Sequence, residues 1–409
     1  MARLKDCVGV SDLLQMNAML APDAAAFVDQ PRREDWSGRP STSWTFAAAD
    51  DVASRLAGYF ASLGLAPRAI VGVSLPNGSE AAVALAALDR AGLTACLLPV
   101  AWSKDALSAI TEDLGISCIV TQSRIGPLRP AETWREIAAG YFGLRFILSF
   151  GPEVPDGVVD LDRMISDASL KDRPEPEPGS RGDSGFVSFD QRNGVVTPYF
   201  RTWSSSLAAA RVFLSAARYE PGDRIVSLLA QDDHRSLTTG LIAALAAGAG
   251  VEFHGLFSGT ALSQSLSAEG PARIIAPGWM EADLARLELG PAVCGVVLVH
   301  EAPVRFKARA PLTFGVVDAL AFGELALLAK SRSARGQFAL SLDAPAVEDP
   351  ASQSQLLGVR RDEDGQIQFR GLAASTANVT RGAIGAAADG WRASGYTAEV
   401  FAGIVIGVS

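Results

Sequence analysis

No two of the four cysteines in this 409-residue chain lie near one another; Cys7, Cys96, Cys118 and Cys294 form no CxxC pair. Neither a zinc knuckle nor a disulfide framework is indicated, and reduced, buried thiols are expected, as in a cytoplasm. Basic charge is also short. Lys plus Arg number 36 against 45 Asp plus Glu, giving a formal net charge of −9. Phosphate contacts need clustered Lys and Arg, so this balance argues against a nucleic-acid partner. The start, Met1-Ala-Arg-Leu-Lys-Asp, runs into Ser11-Asp-Leu-Leu-Gln without an apolar core, and no signal peptide is expected. The longest low-charge run, from about Thr238 to Val251, is too short and too rich in Ala and Gly to cross a bilayer. A cytoplasmic protein with no membrane partner is therefore expected. Apolar residues, at 48% against 20% charged, are ample for a core, which excludes whole-chain disorder. The length suggests about two or three packing units.

From Trp44 to Thr121 the pattern alternates. Phe46 to Leu63 reads as a helix, with Val52, Leu56, Tyr59, Phe60 and Leu63 on one face and Gly64 at the C-cap. Ala69 to Leu75 is an apolar run of strand length, and Pro76-Asn-Gly78 breaks it. Ser79 then reads as the cap of a helix to Ala91. Gly92 to Leu98 is a second strand, Lys104 to Leu114 a helix, and Ile116 to Val120 a third strand. Such a series predicts a parallel sheet with right-handed crossovers. Lys171 to Gly185, with its Pro-Glu-Pro-Glu-Pro run, reads as an exposed linker. Alternation then resumes through strands at Gly185–Phe189, Arg224–Leu229, Gly250–Phe253, Arg273–Ala276 and Gly295–Val299. Helices are expected at Ser204–Ala217, Leu237–Gly248 and Thr260–Ser267. From about Gly336 the texture changes to short β segments. The expected α/β architecture is two doubly wound layers, 1–170 and 186–335, joined by a linker at 171–185, with a small β-rich unit at 336–409.

Trp44-Thr45-Phe46 leads a helix; Leu63-Gly64-Leu65, Val71-Gly-Val-Ser-Leu-Pro76-Asn77 and Ala86-Ala-Leu-Asp-Arg-Ala91-Gly92 follow in order. Gln231-Asp-Asp-His234, Gly248 to Gly250 and Ile274-Ile-Ala-Pro277 continue the set. This succession resembles the N-terminal domain of the adenylate-forming superfamily, which contains acyl-CoA synthetases, peptide-synthetase adenylation domains and luciferases. The resemblance covers roughly Ala24 to Ser409. It implies a ligase fold in which ATP and a carboxylic acid form an acyl-adenylate that passes to a thiol.

The stations that would carry this chemistry are altered. The family's Ser/Thr/Gly-rich phosphate loop, with a Lys near its end, falls on Asp190, Gln191, Arg192, Asn193, Gly194, Thr197 and Tyr199. One glycine remains, Tyr199 takes the lysine place and Asp190 adds negative charge, with Arg192 or Arg201 available to compensate. A plain β-turn joining strand to helix is the other reading. At the Y-G-x-T-E station stands Ala321-Phe322-Gly323-Glu324-Leu325-Ala326. Leucine and alanine supply no side-chain oxygen for Mg²⁺, and Glu324, two places early, is expected to point elsewhere. At the W-x-x-T-G-D station, Asp389-Gly-Trp391-Arg-Ala-Ser-Gly395-Tyr396 ends in a phenol where a carboxylate would hold ribose. The chain stops about where the family's hinge falls, so its C-terminal catalytic domain, with a catalytic lysine, is not expected here.

His234 coincides with the family's L-P-x-x-H position and, with Phe322 and Gly323, is expected at an acyl pocket. A metal site at Asp232-Asp233-His234 is disfavoured, because adjacent residues of an extended segment face alternate sides. His300, Glu301 and Ala302 lie where the family places its adenine-contacting turn; with Tyr396 they are either an adenine-side remnant or, for the first two, a polar strand end. Gly182-Asp-Ser184-Gly185 imitates a serine-protease motif by chance. Trp102, Trp203 and Trp279 are expected in the core or at subdomain contacts. The combined expectation is a pseudoenzyme-like protein that binds an acyl or aryl acid, or its thioester, with no catalytic or metal-ligating residue assigned and no cofactor. The alternatives are an AMP-forming ligase using ATP and Mg²⁺, completed by a partner's C-terminal domain, and a non-catalytic scaffold docking on a pathway enzyme.

Overall fold

The computed structural model describes residues 9–167, 184–192, 194–268, 270–287, 289, 291–306, 314–333, 339–342, 347–348, 355–387 and 390–409. Asn193, Cys7, Asp389 and most of the expected linker lie outside them. Three sheets organise these residues. An eight-stranded sheet runs in the spatial order Ala326–Ser331, Gly315–Phe322, Val293–Glu301, Ala272–Pro277, Arg224–Ser227, Gly250–Phe253, Ala25–Asp29 and Ser43–Thr45. Its interior pairs are parallel and its two outermost pairs antiparallel. A nine-stranded sheet is centred on Thr94–Leu97, Ile70–Ser74, Cys118–Gln122 and Phe146–Phe150, all parallel. Gly185–Arg192 and Val195–Thr202 extend it, followed by Ala377–Thr380 and Ala383–Ile384. A third, antiparallel sheet holds Gln355–Arg361, Gln366–Arg370, Arg392–Phe401 and Ile404–Val408.

The doubly wound α/β class is thus present, and chain order and sheet membership interleave. Strands on both sides of residue 185 share one sheet. Ala25–Asp29 pairs with Gly250–Phe253 across more than two hundred residues, and Val304–Arg305 joins the third sheet.

The expected helices form where their signals stand. Thr45 caps Phe46–Ser62 by accepting from the Ala48 amide, and Gly64 closes it at φ +63. Ser103 caps Lys104–Asp113 in the same way. One capping expectation fails. Gly78 occupies the N-cap of Ser79–Arg90, and Ser79 is its first helical residue, its hydroxyl donating to Asp29 at 2.8 Å. Every residue of this helix is buried. Its Ala-rich sequence suits a helix with no solvent face, packed in a core that joins both large sheets.

Both ends of the buried helix carry charge. At the start, Glu80 and Asp29 meet Arg33, and Arg39 reaches from Glu80 to Asp162. At the end, Asp89 accepts from the Ser11 amide at 3.0 Å and the Ser184 hydroxyl at 2.7 Å, while Arg90 pairs with Asp50. Ser184 and Gly185 are therefore buried, which corrects the end of the expected exposed linker; the Ser184 hydroxyl is a structural donor. Cys96 and Cys118 are buried, and burial pushes both thiols up, whereas Cys294 is exposed, contrary to expectation. Among the described residues no helix is long and apolar enough to cross a membrane.

Removing one partner of a buried ion pair leaves an uncompensated charge, at a cost of about 3–5 kcal/mol. Arg33→Met leaves Asp29 without a cation and Glu80 with Arg39 alone. It should lower the unfolding free energy by about that amount in urea denaturation; a change under about 1 kcal/mol would show that the cluster is not cohesive.

Candidate functional site

Two clefts lie where the sequence places its altered stations. The first, of about 460 Å³, opens at the carboxyl ends of Arg224–Ser227, Ala272–Pro277 and Val293–Glu301, where open parallel sheets generally receive ligands. Leu228, Leu229, Val299 and Val304 give it apolar wall; Asp232, Asp233, Arg235, His300 and Glu301 give it charge. Trp279 stands at its edge with 72% exposure, so the expectation of a core tryptophan is wrong there. Trp203 is buried, and Trp102 is half-buried against Phe189.

His234 is not among the residues lining this cleft. It is fully buried, with Nδ1 2.9 Å from the Thr238 hydroxyl and no hydrogen-bond partner on Nε2 among the described residues. Burial holds its pKa well below the usual value, and repulsion from Arg201 and Arg235 adds to this, so the ring is neutral. Its neighbours form the wall. Asp233 caps the short helix by accepting from the Ser236 amide at 2.8 Å, and pairs with Arg235, which also reaches Glu301. The helix continues as a π-helix over Leu237–Ile242, a form frequent at functional sites. His300 donates its Nε2–H to the Asp318 carboxylate at 3.0 Å, inside a network with Arg332 and Glu281. No group of three His, Cys, Asp or Glu among the described residues is placed to hold a metal ion.

The second cleft, of about 320 Å³, unites the other stations. Asp190, Arg192, Thr197, Tyr199, Glu324, Leu325, Arg392, Ser394 and Gly395 line it. The segment read as a phosphate loop is a hairpin: Gly185–Arg192 pairs antiparallel with Val195–Thr202, closing at Arg192↔Val195. Gln191 and Thr197 are ladder residues, and only Gly194, at φ +77, retains turn geometry among the described ones. The turn joins strand to strand, so the expected strand-to-helix connection is corrected as well.

Arg192 closes on its own chain. It pairs with Asp190 at 2.8 Å, donates to the Ser394 carbonyl at 2.9 Å, and lies over the Tyr396 ring at 4.3 Å. Tyr396 in turn donates its hydroxyl to the Ala302 carbonyl at 2.9 Å, and burial pushes its phenol up. Phe322 packs against Phe369 and Tyr396 beneath this stack. A Cβ on Gly323, at φ +54, would lie 2.6 Å from Arg192 Nη2. Phe322 and Gly323 therefore pack with the hairpin and do not line the first cleft.

Glu324 does not point elsewhere. It is buried in this second cleft and takes the Ser188 hydroxyl. Burial raises its carboxyl to about 8, Asp233 adds to the shift, and Ser188, Arg201 and Arg235 oppose it. Arg201 is wholly buried and donates to the carbonyls of Ala373, Glu324 and Leu325 at 2.8–2.9 Å, and to Ser205. Burial, then Arg392, lowers its pKa to about 10. Both of its Nη groups are committed to these carbonyls and to Ser205, and Nε, without a partner among the described residues, is buried with the rest of the side chain. Sequence reasoning missed Asn77, which joins the two sheets by donating to the carbonyls of Ser227 at 3.1 Å and His254 at 3.3 Å. Its Leu-Pro-Asn setting was visible; its partners, far away in the chain, were not.

Comparison with known proteins bears on this geometry. Residues 14–151 match the family model described as AMP-binding enzyme. Chondramide synthase cmdD of Chondromyces crocatus is 25% identical over 212 residues, a match taking in 50% of this chain. The match covers 5% of that curated relative, so the chain spans a small part of its length. The inhibitor-bound N-terminal domain of FACL13 from Mycobacterium tuberculosis superposes with a TM-score of 0.69 at 17% identity, over 98% of this chain and 99% of that one. Mycobacterium smegmatis MbtA gives 0.70 at 18%, over 98% and 75%. O-succinylbenzoate coenzyme A synthetase from Bacillus subtilis, solved with ATP and magnesium ion, gives 0.69 at 15%, over 97% and 98%. The chain has the acyl-CoA-synthetase-like, adenylate-forming fold, as the order of its motifs implied.

Two outcomes follow for the second cleft. Arg201→Ala leaves several buried carbonyls without donors, each costing about 1–3 kcal/mol, and should lower the urea midpoint markedly; an unchanged midpoint would return Arg201 to the ligand-binding candidates. The folded chain holds a proton on Glu324 up to about 8, while an unfolded carboxyl releases it near ~4.3. Stability from this group is thus lost as pH rises through that window. Glu324→Gln should gain on the wild type in unfolding free energy from pH 5 to 8, by up to about 1.4 kcal/mol per pH unit; a difference independent of pH would contradict the assignment.

Proposed function

From the adenylate-forming fold as premise, we propose that this chain binds an acyl or aryl acid, or its thioester, and forms acyl-adenylate weakly or not at all. The observation that carries the reading is the closure of Arg192 on Asp190, Ser394 and Tyr396. In such a fold those positions would face phosphate and ribose. Here each is satisfied within the chain, so a nucleotide would have to break a stack worth about 1–2 kcal/mol and an ion pair before gaining any contact.

The remaining groups do not fit MgATP either. Leu325 and Ala326 bring no side-chain oxygen, and Glu324 is protonated near neutral pH and tied to Ser188, whereas a hard divalent cation needs ionised or carbonyl oxygen ligands. No adenylation step is assigned to these residues. The first cleft supports retained binding: it keeps about 460 Å³ of space and an apolar wall at the strand ends.

Calorimetric titration with MgATP at millimolar concentration tests the reading, with no shift in melting temperature as a second readout. Binding weaker than about 1 mM, and no pyrophosphate release with a panel of acids, are expected. A Kd at or below about 0.1 mM, roughly 5.5 kcal/mol of binding, or robust acyl-adenylate formation would overturn it. Pyrophosphate release only on adding a separate C-terminal domain would favour a ligase completed by a partner.

A further inference from the structure

The solvent face of the third sheet carries positive charge that the described residues do not neutralise. Gln355–Arg361 and Gln366–Arg370 pair so that Arg360 stands opposite Gln368 and Gly358 opposite Arg370, which puts these four positions on one face. Trp391, just before Arg392–Phe401, lies beside them and is shared: Arg360 is over its ring at 4.3 Å and Arg370 at 4.8 Å. A neutral amide holds each guanidinium. Arg360 Nε donates to Gln368 at 2.9 Å, and Gln368 is oriented in turn by donating to Asp362 at 3.0 Å. Arg370 Nε donates to Gln355 at 2.8 Å. A Cβ on Gly358 would come within 2.9 Å of that same Gln355 amide. The Asp362 carboxylate is spent, because its other oxygen accepts the Asp364 and Gln366 amides at 3.1 and 2.8 Å. Both arginines are exposed, and among the described residues neither pairs with a carboxylate or uses its Nη atoms in a hydrogen bond.

A glutamate at position 355 or 368 would hold the same geometry and cancel the charge. Glutamine fixes the guanidinium and leaves its charge available. We propose that this face docks an acidic segment of a protein partner, the Nη forks of Arg360 and Arg370 receiving two of its carboxylates over the indole of Trp391. Charge complementarity carries the inference: in a chain of net charge −9, two guanidiniums share one ring without a counter-ion, and the guanidinium fork matches a carboxylate in two parallel hydrogen bonds. The shape favours a protein over a small molecule. Small ligands take concave sites, whereas these residues lie on a sheet face and line neither cleft. Arginine and tryptophan also dominate the binding energy of protein interfaces. Here the stack and the two Nε bonds order both side chains in advance, which lowers the entropic cost of docking. The inference is independent of the acid-binding reading above.

The test uses three probes: an acetylated alanine-based peptide with Glu at every fourth position, its Gln counterpart, and inorganic pyrophosphate. On a helix that spacing sets carboxylates about 5–6 Å apart at Cβ. Each probe is titrated calorimetrically into the full chain at about 50 mM and about 200 mM salt. The Glu peptide should bind at least about tenfold more tightly than the Gln peptide at the lower salt and lose most of that margin at the higher. Arg360→Gln combined with Arg370→Gln should erase the margin, with an unchanged melting temperature to show that the chain is folded. Arg286→Gln, at another exposed arginine, should keep it. Equal binding of the two peptides, or none by the Glu peptide, overturns the inference without any variant. A margin that survives the double substitution overturns the site. Pyrophosphate binding that depends on both arginines while the Glu peptide stays silent would assign the face to a small phosphate and overturn the protein partner. None of these outcomes bears on the acid panel or on MgATP.

Discussion

A helix without a solvent face sets the terms for this fold. Ser79–Arg90 is buried along its whole length between two sheets, so both of its polar ends must be satisfied inside the protein. Asp29, Arg33 and Glu80 do this at one end; Ser11, Asp50, Ser184 and Asp89 do it at the other. These contacts bring residues from the start of the chain and from the far side of position 167 into one cluster. The strand Ala25–Asp29, next to the sheet's edge, is fixed to the helix by the same carboxylate that meets Arg33. The relative placement of the two large sheets, and hence of the clefts at their edges, depends on charges that no solvent screens.

The second cleft shows how a polar cavity can be complete without a ligand. A guanidinium, a carboxylate, a phenol and two carbonyls close a ring of contacts from Asp190 through Arg192 and Tyr396 to Ala302. Below it, Arg201 ties the hairpin to the turn at Glu324–Leu325 and to the backbone near Ala373. The first cleft is different in kind. Its walls are strand ends with apolar and charged side chains around about 460 Å³ of space, whereas the second is closed by contacts within the chain.

Much of the architecture was legible in the sequence because parallel strands buried on both faces read as continuous apolar runs, as in Ala69 to Leu75 and Gly295 to Val299. The Gly64 stop signal also acted locally, at φ +63 just past the helix end. The hairpin at Gly185–Thr202 was not legible past Phe189, because its first strand carries Asp190, Gln191 and Arg192, polar residues that break the apolar run, and the Arg192 contact to Ser394 lies just over two hundred positions away. The placement of Glu324 failed for a related reason. An offset of two residues matters along a regular helix or strand, but Gly323 turns the chain at φ +54 and returns the carboxylate to the cleft. Trp279 looked like core by composition and is a rim residue by position. Sequence periodicity reports which face is buried; it does not report which buried faces meet.

The stack of Arg192 on Tyr396 also constrains what mutation can make of this chain. A carboxylate placed at position 396 alone would meet Arg192 already poised above it and be captured as an internal salt bridge. A small residue at position 192 alone would leave Asp190 without its cation and the phenol still across the opening. Neither single step opens the cleft, so the two positions form a lock with two keys, and any mutational route that opens it must cross an intermediate that binds nothing new.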